Sequence, residues 1–225
     1  MISTVEANEN TKFFSHNWTV TLPSYPFLKY RHITLSHLDS WFPVFYNPLN
    51  HPYDENAHLK VWDEVSIAEW RSNASQKYTN ERAKFIALQM LIELDGEIVG
   101  GGSYNVLPTG DVNCGIMLAE NARGKGIGKL SVQVIIQLGR RMGVEKLEVV
   151  TMKTNKPMQG LMASLNILGR EEIREAPGRG VIGEILYPIP EKVDWADVDM
   201  QIEFGDQAFE MNTPDVGDMN RVEVA

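Results

Sequence analysis

Leu118 to Val132 reads LAENARGKGIGKLSV, a stretch in which Gly124, Gly126 and Gly128 alternate with Arg123, Lys125, Ile127 and Lys129. Its neighbours give it meaning. Downstream, Ile127, Leu130, Val134, Leu138 and Met142 recur at helical spacing and Gly143 supplies a stop, so the glycines open an amphipathic helix. Upstream, Ala83 to Leu94 and Glu97 to Leu107 flank Asp95-Gly96, a hairpin signal, and a turn at Thr109-Gly110 leads into Val112 to Leu118. Three strands in an antiparallel meander therefore precede the loop. Beyond the helix, Lys146 to Met152 reads as a strand, Lys156 to Asn166 as a short helix and Arg179 to Ile189 as a late strand. Before the meander, Lys29 to Leu35 reads as a strand, with helices over His37 to Tyr46 and Val65 to Gln76.

A helix start leaves about four N–H groups unpaired and carries roughly half a positive charge, and glycines let a ligand reach that backbone closely. With three cations beside it, the loop suits a phosphate-bearing ligand. It is not a Walker loop: Arg123 stands where the first glycine belongs and Leu130 where Ser or Thr would hold magnesium. Nor is it a dinucleotide fingerprint, because Lys129 replaces the third glycine and the upstream strands form a meander.

The stretch resembles the central motif of the GNAT superfamily of N-acetyltransferases, Q/R-x-x-G-x-G/A, with Arg123, Gly126 and Gly128 at the defining positions. GIMLAENARGKGIG and TNKPMQGLM are similar in wording to fungal members. The similarity covers Leu28 to Pro190, leaving residues 1–27 and 191–225 as extensions. It implies an α/β (α+β) fold whose mixed, mostly antiparallel central sheet has helices on both faces. It also implies acetyl-CoA as co-substrate. The pyrophosphate would lie on the amides of Gly124, Lys125, Gly126, Ile127, Gly128 and Lys129, with Arg123, Asn155, Met158 and Met162 also along the cofactor. Pantetheine would pair with the strand at Leu118, whose N–H would face the thioester oxygen.

A primary amine on a small molecule would attack directly in a ternary complex. Glu120 is the first choice of base and Asp111 the second, although both also fit as turn residues. The family's usual acid, a helix tyrosine, falls at Met162, so another residue or water protonates the thiolate, or turnover is slow; Tyr104 and Tyr187 could substitute, although strand tyrosines more often serve packing. That departure leaves an alternative, an acyl-CoA-binding module that lacks turnover. In relatives the segment between the first two helices lines the acceptor site; here it holds Trp41, Phe42, Tyr46, His51, Tyr53, His58 and Trp62, rings that suit an apolar or cationic acceptor or a packed lid.

The formal charge of -9 argues against nucleic acid. From Glu191 onward ten acids face two bases, so -8 of that charge belongs to the C-terminal extension, which reads as a solvated tail. No run approaches the roughly 18 apolar residues of a membrane helix and no leader pattern opens the chain, so a cytoplasmic or nucleo-cytoplasmic protein without membrane partners is expected. Cys114, the only cysteine, reads as a buried strand residue, and the histidines have no metal spacing, so no metal is expected. Asn17 to Leu22 and Val198 to Phe204 each alternate apolar with polar residues. This predicts two strands that pair with each other, on the domain surface or across a homodimer.

Overall fold

A computed structural model describes residues 9–53, 59, 61–76, 78, 87–176 and 180–207. Among them, strands β1 (His16–Thr21), β2 (Leu28–His32), β3 (Ala87–Leu94), β4 (Glu97–Val106), β5 (Val112–Leu118), β6 (Leu147–Met152), β7 (Arg170–Ala176), β8 (Gly180–Pro188) and β9 (Gln201–Gln207) form one sheet. Its order is β7-β8-β6-β5-β4-β3-β2-β1-β9. Among the described residues every strand pairing is antiparallel except β5 with β6. The helices are α1 (Glu9–Ser15), α2 (Leu38–Tyr46), α3 (Glu64–Gln76), α4 (Ile127–Arg141) and α5 (Lys156–Ser164).

The meander forms where the turn residues require it. Asp95 and Gly96 both take positive φ, 53° and 84°, as a two-residue hairpin between right-twisted strands demands. β3 is described from Ala87; residues 83–86 of the longer strand expected there lie outside the described residues. α4 lays Ile127, Val134, Ile135 and Leu138 on the sheet, each buried, and each such side chain contributes about 1.5–3 kcal/mol relative to exposure. Phe13 of α1 and Met162 of α5 join the same core, while α2 and α3 cover the opposite face with a smaller cluster around Trp41, Ile33 and Leu91.

Several boundaries differ from the sequence reading. β2 stops at His32, and a 3-10 turn over Leu35–His37 precedes α2, because Thr34 and His37 hold each other through the Thr34 N–H and hydroxyl on His37 Nδ1. α5 ends at Ser164, where Asn166 takes a φ of 54°. A strand not separately delimited in the sequence, β7, forms a hairpin with β8.

The terminal segments pair with each other inside one chain, Trp18 opposite Phe204 and Val20 opposite Ile202. Through β2 they continue the sheet. β9 begins at Gln201 rather than Val198, because Val198 is tied to α4: Gln137 Nε2 donates to Val198 O at 3.0 Å and Val198 N donates to Gln137 Oε1 at 2.9 Å. Arg140 Nη2 also donates to Pro190 O at 2.6 Å. Residues 191–200 thus run along α4 into β9, which corrects the reading of a solvated tail as far as Gln207; residues 208–225 lie outside the described residues.

Both strand tyrosines serve packing, the reading favoured for them over that of substitute acids. Tyr104 Oη donates to Ile135 O at 2.5 Å inside the core, and Tyr187 is buried against the place where Gly169 lacks a side chain. Burial pushes the Cys114 thiol up to about 12.

Candidate functional site

The decisive feature is a strand edge without a partner. β5 and β6 pair only at Val112 with Leu147 and Asn113 with Glu148, after which β6 continues its ladder with β8 alone. Val112 N donates across to Lys146 O, whereas Ala119 N donates the other way, to Val99 O. Backbone groups alternate sides along a strand, so beyond the paired residues the N–H groups of Ile116 and Leu118 face the gap. The C-terminal half of β5 is therefore an exposed hydrogen-bonding edge inside the protein.

A cavity of about 600 Å³ lies along this edge. Ile116, Met117 and Leu118 form its floor; Gly124, Gly126, Gly128 and Lys129 form one end; Met152, Asn155, Pro157, Met158 and Leu161 form a wall. Gly126 caps α4 with φ at 80° and Gly124 has φ at 72°, the left-handed region that side chains resist. No side chain caps α4, so its first-turn amides are presented to the cavity end. Gly128 is helical, and a Cβ there would sit 3.3 Å from Leu161 Cδ1. Ile127 contributes backbone only, since its side chain is buried in the core.

The remaining wall is Asn50, His51, Pro52 and Tyr53, fastened by a residue read from sequence as a cofactor contact. Arg123 spends its guanidinium on backbone: Nε and Nη2 donate to Leu118 O at 3.0 and 2.8 Å, Nη2 also to Asn50 O at 2.9 Å, and Nη1 to Leu49 O at 3.2 Å. Asn50, buried, adds a second clasp. Its Nδ2 donates to Val44 O at 2.7 Å and its Oδ1 accepts from Glu120 N at 2.9 Å. His51 Nε2 lies 2.5 Å from Phe45 O; a carbonyl only accepts, so Nε2 carries the hydrogen and Nδ1 is left with its lone pair. The sequence reading missed Asn50 altogether, because its partners Glu120 and Arg123 lie 70 and 73 residues away, and valued His51 only as a ring.

Other residues singled out from sequence take definite places. Asn155 caps α5, its Oδ1 accepting from Met158 N at 3.1 Å while its Nδ2 donates to Thr151 Oγ1 at 3.0 Å. Lys129 Nζ donates to Ser164 O at 3.0 Å, and Lys125 is exposed beside the glycines. Met162 does not line the cavity; it is buried completely, turned into the core by the helix period while Met158 and Leu161 face the ligand space. Glu120 is exposed on a 3-10 turn and lines a different, smaller depression with Pro43 and Asn47. Asp111 is at the far end of β5, about 20 Å from Leu118 at roughly 3.3 Å per residue, beside Thr109 and Lys146. Neither carboxylate borders the cavity: Asp111 precedes β5 at its far end, and Glu120 follows it on a turn that faces the other depression.

A second cavity, about 620 Å³, opens on the α2–α3 face and shares Ile116 and Met117 with the first. Trp41, Phe45, Trp62, Trp70 and Tyr78 roof it, over Gln89, Ser103 and Gly115 of β3, β4 and β5. Among the described residues no cluster of His, Cys, Asp and Glu could hold a metal ion, and no helix is long and apolar enough to cross a membrane. His58 lies outside the described residues.

Residues 39–166 match the model of the acetyltransferase (GNAT) family, more than half of the chain, and the chain belongs to that family. No curated protein sequence matches it. The fold is similar to an acetyltransferase from Salmonella typhimurium that modifies the N-terminal serine of a 50S ribosomal subunit protein, with a TM-score of 0.60 and 15% identity over 76% of this chain and 98% of that one. It is also similar to the ribosomal-protein-S5-alanine acetyltransferase from Vibrio fischeri, with a TM-score of 0.57 and 18% identity over 76% of this chain and 96% of that one. The microcin C7 self-immunity acetyltransferase, solved with acetyl-CoA and AMP, gives a TM-score of 0.56 and 14% identity over 72% of this chain and 91% of that one.

Proposed function

We propose that this acetyltransferase moves an acetyl group from acetyl-CoA to a primary amine by direct attack, within the cytoplasmic setting expected from its sequence. The observation that carries the reading is the unpaired edge of β5 running from the α4 glycines to a second cavity. The residues present fit such a donor: two positive-φ glycines, uncapped helix amides and nearby Lys125 for a pyrophosphate, and a free strand edge for an amide-bearing arm. Acetyl-CoA supplies an activated thioester carbonyl.

The chain's own groups then have distinct tasks. The Leu118 N–H faces the gap as a hydrogen-bond donor for the thioester oxygen, and Arg123 holds the same residue by binding the Leu118 carbonyl, in the following peptide. The apolar wall of Met152, Met158 and Leu161 excludes water from the acyl group. His51, oriented by Phe45 O, takes the proton that the amine loses as its nitrogen forms the new C–N bond and the C–S bond breaks. Met162 is buried and supplies no acid, so the departing thiolate would take its proton from water or from the Tyr53 hydroxyl, the one tyrosine in the cavity wall among the described residues. Cys114, the only cysteine, is buried with its thiol pushed up to about 12 and is not available to carry the acetyl group, which favours the one-step route.

Initial rates over a grid of acetyl-CoA and amine concentrations provide the test. Intersecting double-reciprocal lines are expected; parallel lines, the mark of an acetylated enzyme, would exclude direct attack. One observation favours a second reading, an acyl-CoA-binding module: no carboxylate lines the first cavity among the described residues. Tight binding with no thiol release across a broad amine panel would establish it.

A further inference from the structure

We propose that the second cavity selects a primary amine carried on a flat aromatic body, an arylalkylamine, in preference to a polyamine or a protein N-terminus. The inference rests on the acetyl-transfer reading above and names its acceptor.

The roof is a continuous layer of rings. Trp70 lies 4.7 Å from Phe42 and 5.6 Å from Phe45, and Phe45 lies 6.1 Å from Trp41, all within the range of packed aromatic pairs. Trp62 meets Phe42 edge-on at 5.1 Å. Tyr78 adjoins the layer at Trp41, and burial raises its hydroxyl to about 12 despite a hydrogen bond with Trp41. Below the rings, the floor is cut away at one place. A Cβ on Gly115 would meet nothing within 4 Å, whereas the space above Gly101 is already filled by Trp41. A slot open over Gly115 therefore lies between the ring layer and β5.

The polar lining decides among amines. Ser66, Asn73, Gln89 and Ser103 are neutral, no Lys or Arg lines the cavity among the described residues, and Glu69 is the one carboxylate, exposed on α3. A single ammonium is tolerated beside such rings and one acid, but a polyamine would leave its further charges unpaired in apolar surroundings. A peptide fares no better. β4 is hydrogen-bonded on both edges, to β3 and β5, so a chain lying across this face finds no backbone partners. Ile116 and Met117 border both cavities, which places the amine nitrogen at the unpaired edge of β5 when its ring fills the slot.

The test is thiol release at saturating acetyl-CoA with tryptamine, phenethylamine, spermidine and short peptides beginning with Ser or Ala, alongside calorimetry with acetyl-CoA alone. The arylalkylamines are expected to exceed the others in kcat/KM by at least about 10-fold, the lower end of what an apolar pocket discriminates. Trp70→Ala should raise their KM by about 10-fold or more with acetyl-CoA affinity unchanged. Gly115→Val, which fills the slot without touching the roof, should do the same and serves if the tryptophan variant fails to fold. A preference for spermidine or peptides, no turnover of any arylalkylamine, or an unmoved KM in folded Gly115→Val overturns the inference. Failure of the unaltered protein to bind acetyl-CoA would instead overturn the acetyl-transfer reading beneath it.

Discussion

The two cavities meet at Ile116 and Met117 yet are built from different material. The first is made of main chain: positive-φ glycines, a helix start and an unpaired strand edge. Its polar side chains mostly hold backbone to backbone, as Arg123, Asn50, Asn155 and Lys129 do. The second is made of rings from α2, residue 62, α3 and Tyr78, laid over three strands. A site built of backbone should withstand removal of exposed side chains and fail when a Cβ is added. A site built of rings should behave the other way round.

The largest expected effect comes from the ring side. Trp41, in contact with the bare backbone of Gly101, anchors the smaller core, and Trp41→Ala should cost about 3–5 kcal/mol in denaturant unfolding. The folded fraction should still bind acetyl-CoA within about twofold of the unaltered protein. A tenfold loss of affinity would show that the two regions are one mechanical unit.

Arg123 is where the distinction is sharpened. Arg123→Ala removes charged donors from Leu118 O, Asn50 O and Leu49 O, and should destabilise by about 2–3 kcal/mol while loosening the wall that carries His51. Arg123→Lys should restore little of this, because an ammonium cannot serve three carbonyls with a planar fork. Full rescue by lysine would mean that charge rather than geometry holds the wall.

Asn155→Ala should cost about 1 kcal/mol through loss of the α5 cap, and Asn155→Asp should recover most of it. A drop in acetyl-CoA affinity out of proportion to that cost would restore Asn155 as a direct cofactor contact.

The smallest effect is electrostatic and lies away from both cavities. Burial first, with Asp111 and Glu172 adding to it, raises the Glu148 carboxyl above its ordinary value. A carboxyl whose folded pKa is raised favours folding once protonated and opposes it once ionised. Glu148→Gln should therefore raise the Tm slightly at neutral pH, with the gain shrinking as pH falls through the raised value. An equal gain at acid and neutral pH would assign the effect to packing.

The same contrast explains what could be read in advance. The helix of α4, the Asp95-Gly96 hairpin and the glycine loop are local, so spacing and turn chemistry exposed them. Glu120 and Asp111 were drawn to the site by nearness in sequence, but β5 is extended and holds them at opposite ends, both outside the cavity. Met162 stands where the resemblance puts a cofactor contact, whereas the helix period turns it into the core. Asn50 gave no sequence signal of its own, since its role depends on meeting Glu120 N and Arg123 across the fold. The acidic end read as a tail by charge alone, although Val198 and Met200 pack where α4 and its Gln137 receive them.

Calorimetric titration of acetyl-CoA into the unaltered protein and into folded Gly126→Val tests the central claim most directly. Gly126 caps α4 with φ at 80°, so valine there must distort the loop that presents the helix amides. Binding by the unaltered protein and a loss of at least about 100-fold in the variant, of the order of two charged hydrogen bonds, is the predicted result. Equal affinity in the two proteins would contradict the assignment of the cofactor to this loop.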